Sequence, residues 1–344
     1  MSRVVNATSD RASDPPAPAG VERLQEASGA RFAHIVAARA RTDRLLAERA
    51  ALLAEIDVDP DAAVVLTGSW GRREVTSASD DDFIVLLEGA AREGARPDPD
   101  AVAEVLGSGS AGREGVFAGQ VSLQELRDRI GRDEDSNRNL TRRMLLILES
   151  AAICGVDVHA RARRALLERY LAAHQKDHRP PRFLLNDLVR YWRTIAVDFE
   201  SKMRDRRGEG WGVRNAKLRL SRKALFAGGL LPVLDCYRYP AAQMLGYLDE
   251  RMAVPPLDRI ADAFVDHEAI DPGVRALTAY DAFLGILDDP AQRAELSALS
   301  REDRHDSAVF ARIADLGLEF ESGLLSLLFD DPELRRHVRD YLIF

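Results

Sequence analysis

Cysteine is nearly absent from this 344-residue chain. Cys154 and Cys236 are the whole complement, too few and too far apart for a disulfide framework or a cysteine-based zinc site. Long apolar runs are missing as well. No stretch of about 18 apolar residues occurs, which excludes an ordinary membrane-spanning helix. The first twenty residues lack the continuous apolar core of a secretory signal. They are rich in Ser, Asp, Pro and Ala, which predicts a disordered tail over residues 1–20. No Gly-Lys-Ser run of the Walker type is present, so a P-loop ATPase is not supported. His174 and His178 share a helix face, but Gln175 stands where a zincin needs Glu. Asp133 to Asn137 lacks the Gly and the closing Glu of a calcium loop. Basic residues are outnumbered, with 48 Lys and Arg against 56 Asp and Glu for a net charge of −8. That argues against bulk binding to nucleic acid but leaves room for a local basic patch. The expectation is a cytoplasmic protein with no membrane segment and no zinc.

What is present suffices for a substantial core. Hydrophobic residues make up 46% and charged residues 30% of the chain, and the length allows one large domain or two of ordinary size. Apolar residues recur at helical spacing from Val21 to about Ile56, predicting one long helix or two in succession. Asp57 to Asp61 breaks the pattern. Ala62–Thr67 then reads as a buried strand and Asp82–Leu87 as a second, with the Gly68-Ser69-Trp70-Gly71 turn after the first. Residues 89–112 read as a loop with a short helix at Val102–Leu106, and Gly115–Val121 as a third strand. After Ser122 the pattern is helical nearly to the end, with helices expected over Leu123–Ile130, Asn137–Cys154, Val158–His174, Arg182–Arg206 and Arg214–Gly228 among others. The expected class is α+β: a disordered tail over 1–20, an N-terminal helix plus a small mixed sheet over 21–121, and a large all-helical domain over 122–344.

Residues 64–87, VVLTGSWGRREVTSASDDDFIVLL, carry the chemistry. Asp80 and Asp82 are two apart at the start of a predicted strand, so both side chains face one way while Asp81 faces the other. Two carboxylates on one face suit a hard divalent cation. Gly68 lets the backbone approach a phosphate, and the Ser69 hydroxyl can donate to a terminal phosphate oxygen. If a helix follows Ser69, its free N–H groups favour an anion there. Arg72 or Arg73 would add charge. The alternative is a turn followed by an acidic loop with no ligand.

The order Gly68-Ser69-Trp70-Gly71-Arg72-Arg73-Glu74, then Ser79-Asp80-Asp81-Asp82 and an apolar strand, resembles the DNA polymerase β-like nucleotidyltransferase superfamily. It is most similar to the bacterial branch of protein uridylyltransferases and signalling nucleotidyltransferases. The close match covers residues 64–87, and a looser one extends over Val121–Ala151. The resemblance implies Mg²⁺ or Mn²⁺ held by Asp80 and Asp82, with a nucleoside triphosphate whose terminal phosphates rest on Gly68 and Ser69. It implies transfer of a nucleoside monophosphate to an acceptor hydroxyl of a protein, RNA or small molecule, with release of pyrophosphate. It also implies a helical domain closing over the nucleotide, in which Arg190, Arg193, Lys217 or Lys223 of the basic stretch 182–223 contact phosphates and Tyr191 or Trp192 stacks on a base. Structural packing and surface charge are the competing explanation for those residues.

The chain departs from the family pattern at the third carboxylate, which usually sits on a later strand and helps to activate the attacking hydroxyl. The predicted third strand holds no acid. Glu114 at its edge is the nearest candidate, Gln120 the alternative occupant, and Glu125 and Asp133-Glu134-Asp135 read as helix-surface or helix-start acids. Without a third acid the chain would be a catalytically degenerate, nucleotide-binding regulatory protein. An RNA-binding module built on the basic helices is a further alternative.

Overall fold

The computed structural model describes residues 20–343, apart from 91, 93, 108–116, 118, 206 and 207. The β-branched run forms β1 (Ala62–Thr67) and the apolar run after Asp82 forms β2 (Phe83–Leu87). They pair antiparallel, with Val64 opposite Val85 and Leu66 opposite Phe83. β3 (Gln120–Ser122) runs parallel to β2, and β4 (Ser150–Cys154) runs antiparallel to β1. The result is a mixed four-stranded sheet in the order β3-β2-β1-β4.

β1 and β2 are buried along their whole length, so their alternating side chains feed two layers. Val64, Leu66, Phe83 and Val85 pack with Trp70 and with Val102, Ala103 and Leu106 of α3 (Pro99–Leu106). Ala63, Val65, Ile84 and Leu86 join the main core, which runs on through the helices from Val21 to Val338.

The single helical pattern near the N-terminus is split at Gly29, whose φ of 75° ends α1 (Gly20–Ser28) before α2 (Ala33–Leu52). Gly20, assigned to the tail from sequence, is therefore the first residue of α1; residues 1–19 lie outside the described ones. Ser122 and Ser136 cap α4 (Leu123–Asp128) and α5 (Asn137–Leu148) through their hydroxyls. There follow α6 (Val156–Leu171), α7 (Arg182–Asp205), α8 (Trp211–Arg219), α9 (Ser221–Asp235), α10 (Ala241–Ala253) and α11 (Pro256–Asp266). The chain closes with α12 (Ile270–Asp288), α13 (Pro290–Ala298), α14 (Ala308–Asp330) and α15 (Pro332–Val338). α1 is tied to α11, where the Val21 N–H donates to Asp258 at 3.0 Å and Arg23 pairs with Asp262 and Asp266. Among the described residues no helix is long and apolar enough to cross a membrane.

The α+β class is as the sequence implies, a small mixed sheet and a large helical region, but individual elements differ. The helix expected over Asn137–Cys154 stops at Leu148, and residues 150–154 become β4. Glu149 leaves helical geometry (φ −146°, ψ 61°), and the segment after it satisfies the otherwise open edge of β1. The region after residue 122 therefore contributes a strand to the sheet, and the 121/122 boundary falls inside β3. The helix expected over Arg214–Gly228 is also two, α8 and α9, broken at Leu220 (φ −116°, ψ −70°). The third strand expected over Gly115–Val121 is Gln120–Ser122, and Phe117 and Gly119 are not in it; residues 115, 116 and 118 lie outside the described residues.

Candidate functional site

β1 and β2 bring the two halves of the motif to one end of the sheet. The Thr67 N–H donates to the Asp82 carbonyl at 2.9 Å, so Gly68 and Asp82 leave the ladder side by side. Gly68 has φ 67°, the left-handed region, and open space lies where a Cβ would stand. A single turn follows. The Arg72 N–H donates to Gly68 O at 3.0 Å and the Glu74 N–H to Ser69 O at 2.8 Å. No helix grows from it, because Arg73 adopts φ 60° and reverses the chain. Gly71 is pressed against β4, where a Cβ would stand 2.0 Å from the Glu149 carbonyl carbon.

The acidic loop is fixed from three sides. Trp70, 1% exposed, donates from Nε1 to the Asp80 carbonyl at 3.0 Å. Arg293 of α13 donates to the Ala78 carbonyl at 2.9 Å. Asp81 faces away and pairs with Arg49 of α2 at 2.9 Å. Asp80 and Asp82 are left facing a narrow cleft of about 80 Å³ that Gly68, Ser69, Lys217, Arg222 and Arg293 also line. The cleft is polarised. Burial, and then the charge of Asp80, push the Asp82 carboxyl above its usual range. Burial, and then Arg293, Arg72 and Arg222, push Lys217 down to about 8. Carboxylates and cations are crowded into one small cleft, an arrangement whose buried charge a metal-bound polyphosphate would relieve for both.

The donor set fits a magnesium-type ion only in part. Among the described residues no group of three or more His, Cys, Asp or Glu is placed to hold a metal. Asp80 and Asp82 would supply at most two carboxylates, and the remaining ligands would have to come from phosphate and water, which is how Mg²⁺ is commonly held.

Other candidates are distributed differently. Lys217 lines the cleft. Arg72 also reaches it, but its guanidinium is 6% exposed and committed to Glu74 at 3.0 Å and to Glu149. Those two carboxylates outweigh the burial that would lower it, and hold it charged. Arg73 turns to the far side of the turn and pairs with Asp43. Arg190, Arg193 and Lys223 are not brought to the cleft. Arg190 spans Asp135 and Asp187 at 3.6 and 3.7 Å, Lys223 pairs with Glu321 at 2.5 Å, and Arg193 is on the exposed face of α7. Trp192 stacks on Phe226 at 5.4 Å and Tyr191 is buried in the core, so neither faces a base. Gln120 donates to the Ala95 carbonyl at 2.7 Å, away from the cleft. Asp135 belongs to a buried cluster with Arg143, Tyr170 and Asp187. Glu114 lies outside the described residues.

Sequence reasoning missed three residues here. Arg222 lay within the basic stretch but was not singled out from it, although it lines the cleft. Arg293 is far along the chain and had no local signal. Glu149 is fully buried and binds Arg222 at 2.8 Å as well as Arg72, so it fixes a cation at the cleft wall from behind. Its only hint was the Ala-Ala-Ile-Cys-Gly run after it, hidden by the helical reading. Compared with known proteins, the chain matches no protein-family model, no curated protein and no solved structure.

Proposed function

We propose that this protein is a metal-dependent nucleotidyltransferase of the DNA polymerase β-like type. One observation carries the reading: Asp80 and Asp82 share a cleft with the Gly68-Ser69 turn, and Lys217, Arg222 and Arg293 line the same cleft. Asp80 and Asp82 would hold Mg²⁺ or Mn²⁺, which when bound neutralises phosphate charge and polarises the reacting phosphorus. Ser69 and the turn would orient the terminal phosphates, with the three cations offsetting their charge. The acceptor oxygen attacks the α-phosphorus and its proton passes to solvent, the bond from that phosphorus to the bridging oxygen breaks, and pyrophosphate leaves. The acceptor is a hydroxyl of a protein, RNA or small molecule.

The test uses purified protein, each α-labelled nucleoside triphosphate in turn, Mg²⁺ or Mn²⁺, and a cell extract as acceptor source. Label should move to an acceptor with the native protein and not with Asp80→Ala plus Asp82→Ala. Equal transfer by both proteins would remove the case for this site.

A second reading is favoured by the acids present. Besides Asp80 and Asp82, Glu74 is the cleft's acid, and it is occupied by Arg72 and by the Tyr280 hydroxyl at 2.8 Å. Glu149 is likewise held by two arginines. With no further free carboxylate among the described residues lining the cleft to serve as general base, the chain would be a nucleotide-binding regulator. Calorimetry would then register nucleotide binding while the labelled-nucleotide assay registers no turnover.

A further inference from the structure

The turn that carries Gly68 and Ser69 has two sides. On the side away from Asp80 and Asp82, a cavity of about 240 Å³ opens between β4, α6 and the junction of α10 with α11. Arg73, Arg163 and Arg259 line it with His159 and Ser150, and among the described residues no acidic side chain does. Val156 and Pro255 stand in its wall, where α6 and α11 begin. Helices of 16 and 11 residues therefore start at this cavity, and the amide ends of helices favour negative charge.

The partners of these cations leave a surplus. Arg73 pairs with Asp43 and Arg163 with Asp249 at 3.3 Å, both acids standing outside the lining. Arg259 is 2% exposed and makes no ion pair among the described residues. It donates instead to the carbonyls of Leu148, Gly228 and Val254. The acids that act on it are committed elsewhere, Asp258 to Arg39 and Glu149 to Arg72 and Arg222. Burial pushes Arg259 down to about 9 and His159 down to about 4, and the charge of Arg163 adds to both. The cavity thus holds a positive potential that its own residues do not neutralise.

We infer that this cavity is a second anion site, separate from the cleft, that takes a small phosphorylated ligand against Arg73, Arg163 and the buried charge of Arg259. Guanidinium groups suit phosphoryl oxygens in charge and in hydrogen-bond geometry. The cavity of about 240 Å³ has room for one or two phosphoryl groups. A ligand there would rest on Gly71 and Ser150, on the reverse of the turn that lines the cleft.

Titration calorimetry of the full chain with inorganic pyrophosphate in EDTA tests this. Arg163→Met alters the cavity and Arg293→Gln alters the cleft. Arg163→Met should weaken a pyrophosphate site at least about tenfold, while Arg293→Gln leaves that site unchanged. Equal affinity in native and Arg163→Met protein, or loss with Arg293→Gln alone, would overturn the assignment. A crystal of the unmutated chain soaked in pyrophosphate reads the same question without a substitution. Density against Arg163 and Arg73 supports the site; density confined to the cleft, or none, overturns it.

Discussion

Asp82 and Lys217 face each other under opposite pressures. Burial works against the charge of both, the neighbouring Asp80 adds to the cost at Asp82, and three arginines add to it at Lys217. The charge of Lys217 changes within an accessible pH range. With its pKa at about 8, Lys217 is mostly charged at pH 7 and mostly neutral at pH 9. An anion binds the charged form, so triphosphate affinity should fall as pH rises through about 8 and binding should take up protons there. Calorimetric titrations at pH 7 and pH 9 check this, and Lys217→Met should flatten the dependence. Trp70, by contrast, acts on structure: its indole holds the Asp80 carbonyl and so sets the level at which the loop presents its acids.

At the level of elements, the turn, β4 and α9 are joined through one buried carboxylate. Glu149 binds Arg72 from the turn and Arg222 from α9. Removing one partner of a buried ion cluster leaves charge without compensation and costs about 3–5 kcal/mol. Glu149→Gln should therefore lower the urea midpoint by that equivalent, and by more than Asp43→Asn, which touches an exposed partner of Arg73. A loss no larger than for Asp43→Asn would contradict the role given to Glu149. The same residue shows where the sequence is readable and where it is not. β1 and β2 were legible because β-branched runs bounded by Asp and Gly have few other structures open to them. Asp80 and Asp82 could be placed on one side from strand periodicity. β4 was not legible, since Leu145 to Cys154 suits either helix or strand and the decision comes from the free edge of β1. Arg222 and Arg293 could not be chosen from sequence, because cations on amphipathic helices look alike until packing selects those that face the sheet. Arg190 and Lys223 illustrate this, each taken up by acids of its own surroundings.

Across the molecule, the main core is continuous from α1 to α15, so events far from the cleft bear on its stability. His267, with its side chain 1% exposed, sits between Asp235 at the end of α9 and Asp331 at the cap of α15, at 2.8 and 2.9 Å. Burial opposes its charge, but Asp235 and Asp331 outweigh burial and the nearby Arg238, and its pKa is raised. A raised folded-state value means that this stabilisation is complete below the unfolded value of about 6.5 and is lost as pH rises through the folded one. Thermal melts at stepped pH should show that decline, and His267→Gln should remove it. The proposed function depends on metal-bound triphosphate lying in the cleft against Asp80, Asp82 and its cations. Its most direct measurement is equilibrium binding of the four nucleoside triphosphates, with Mn²⁺ and with EDTA, to native and Asp80→Asn plus Asp82→Asn protein. The account predicts that at least one triphosphate binds with Mn²⁺ and weakens at least about tenfold on chelation or in the double variant. Binding that is indifferent to both, or absent for all four, would contradict it.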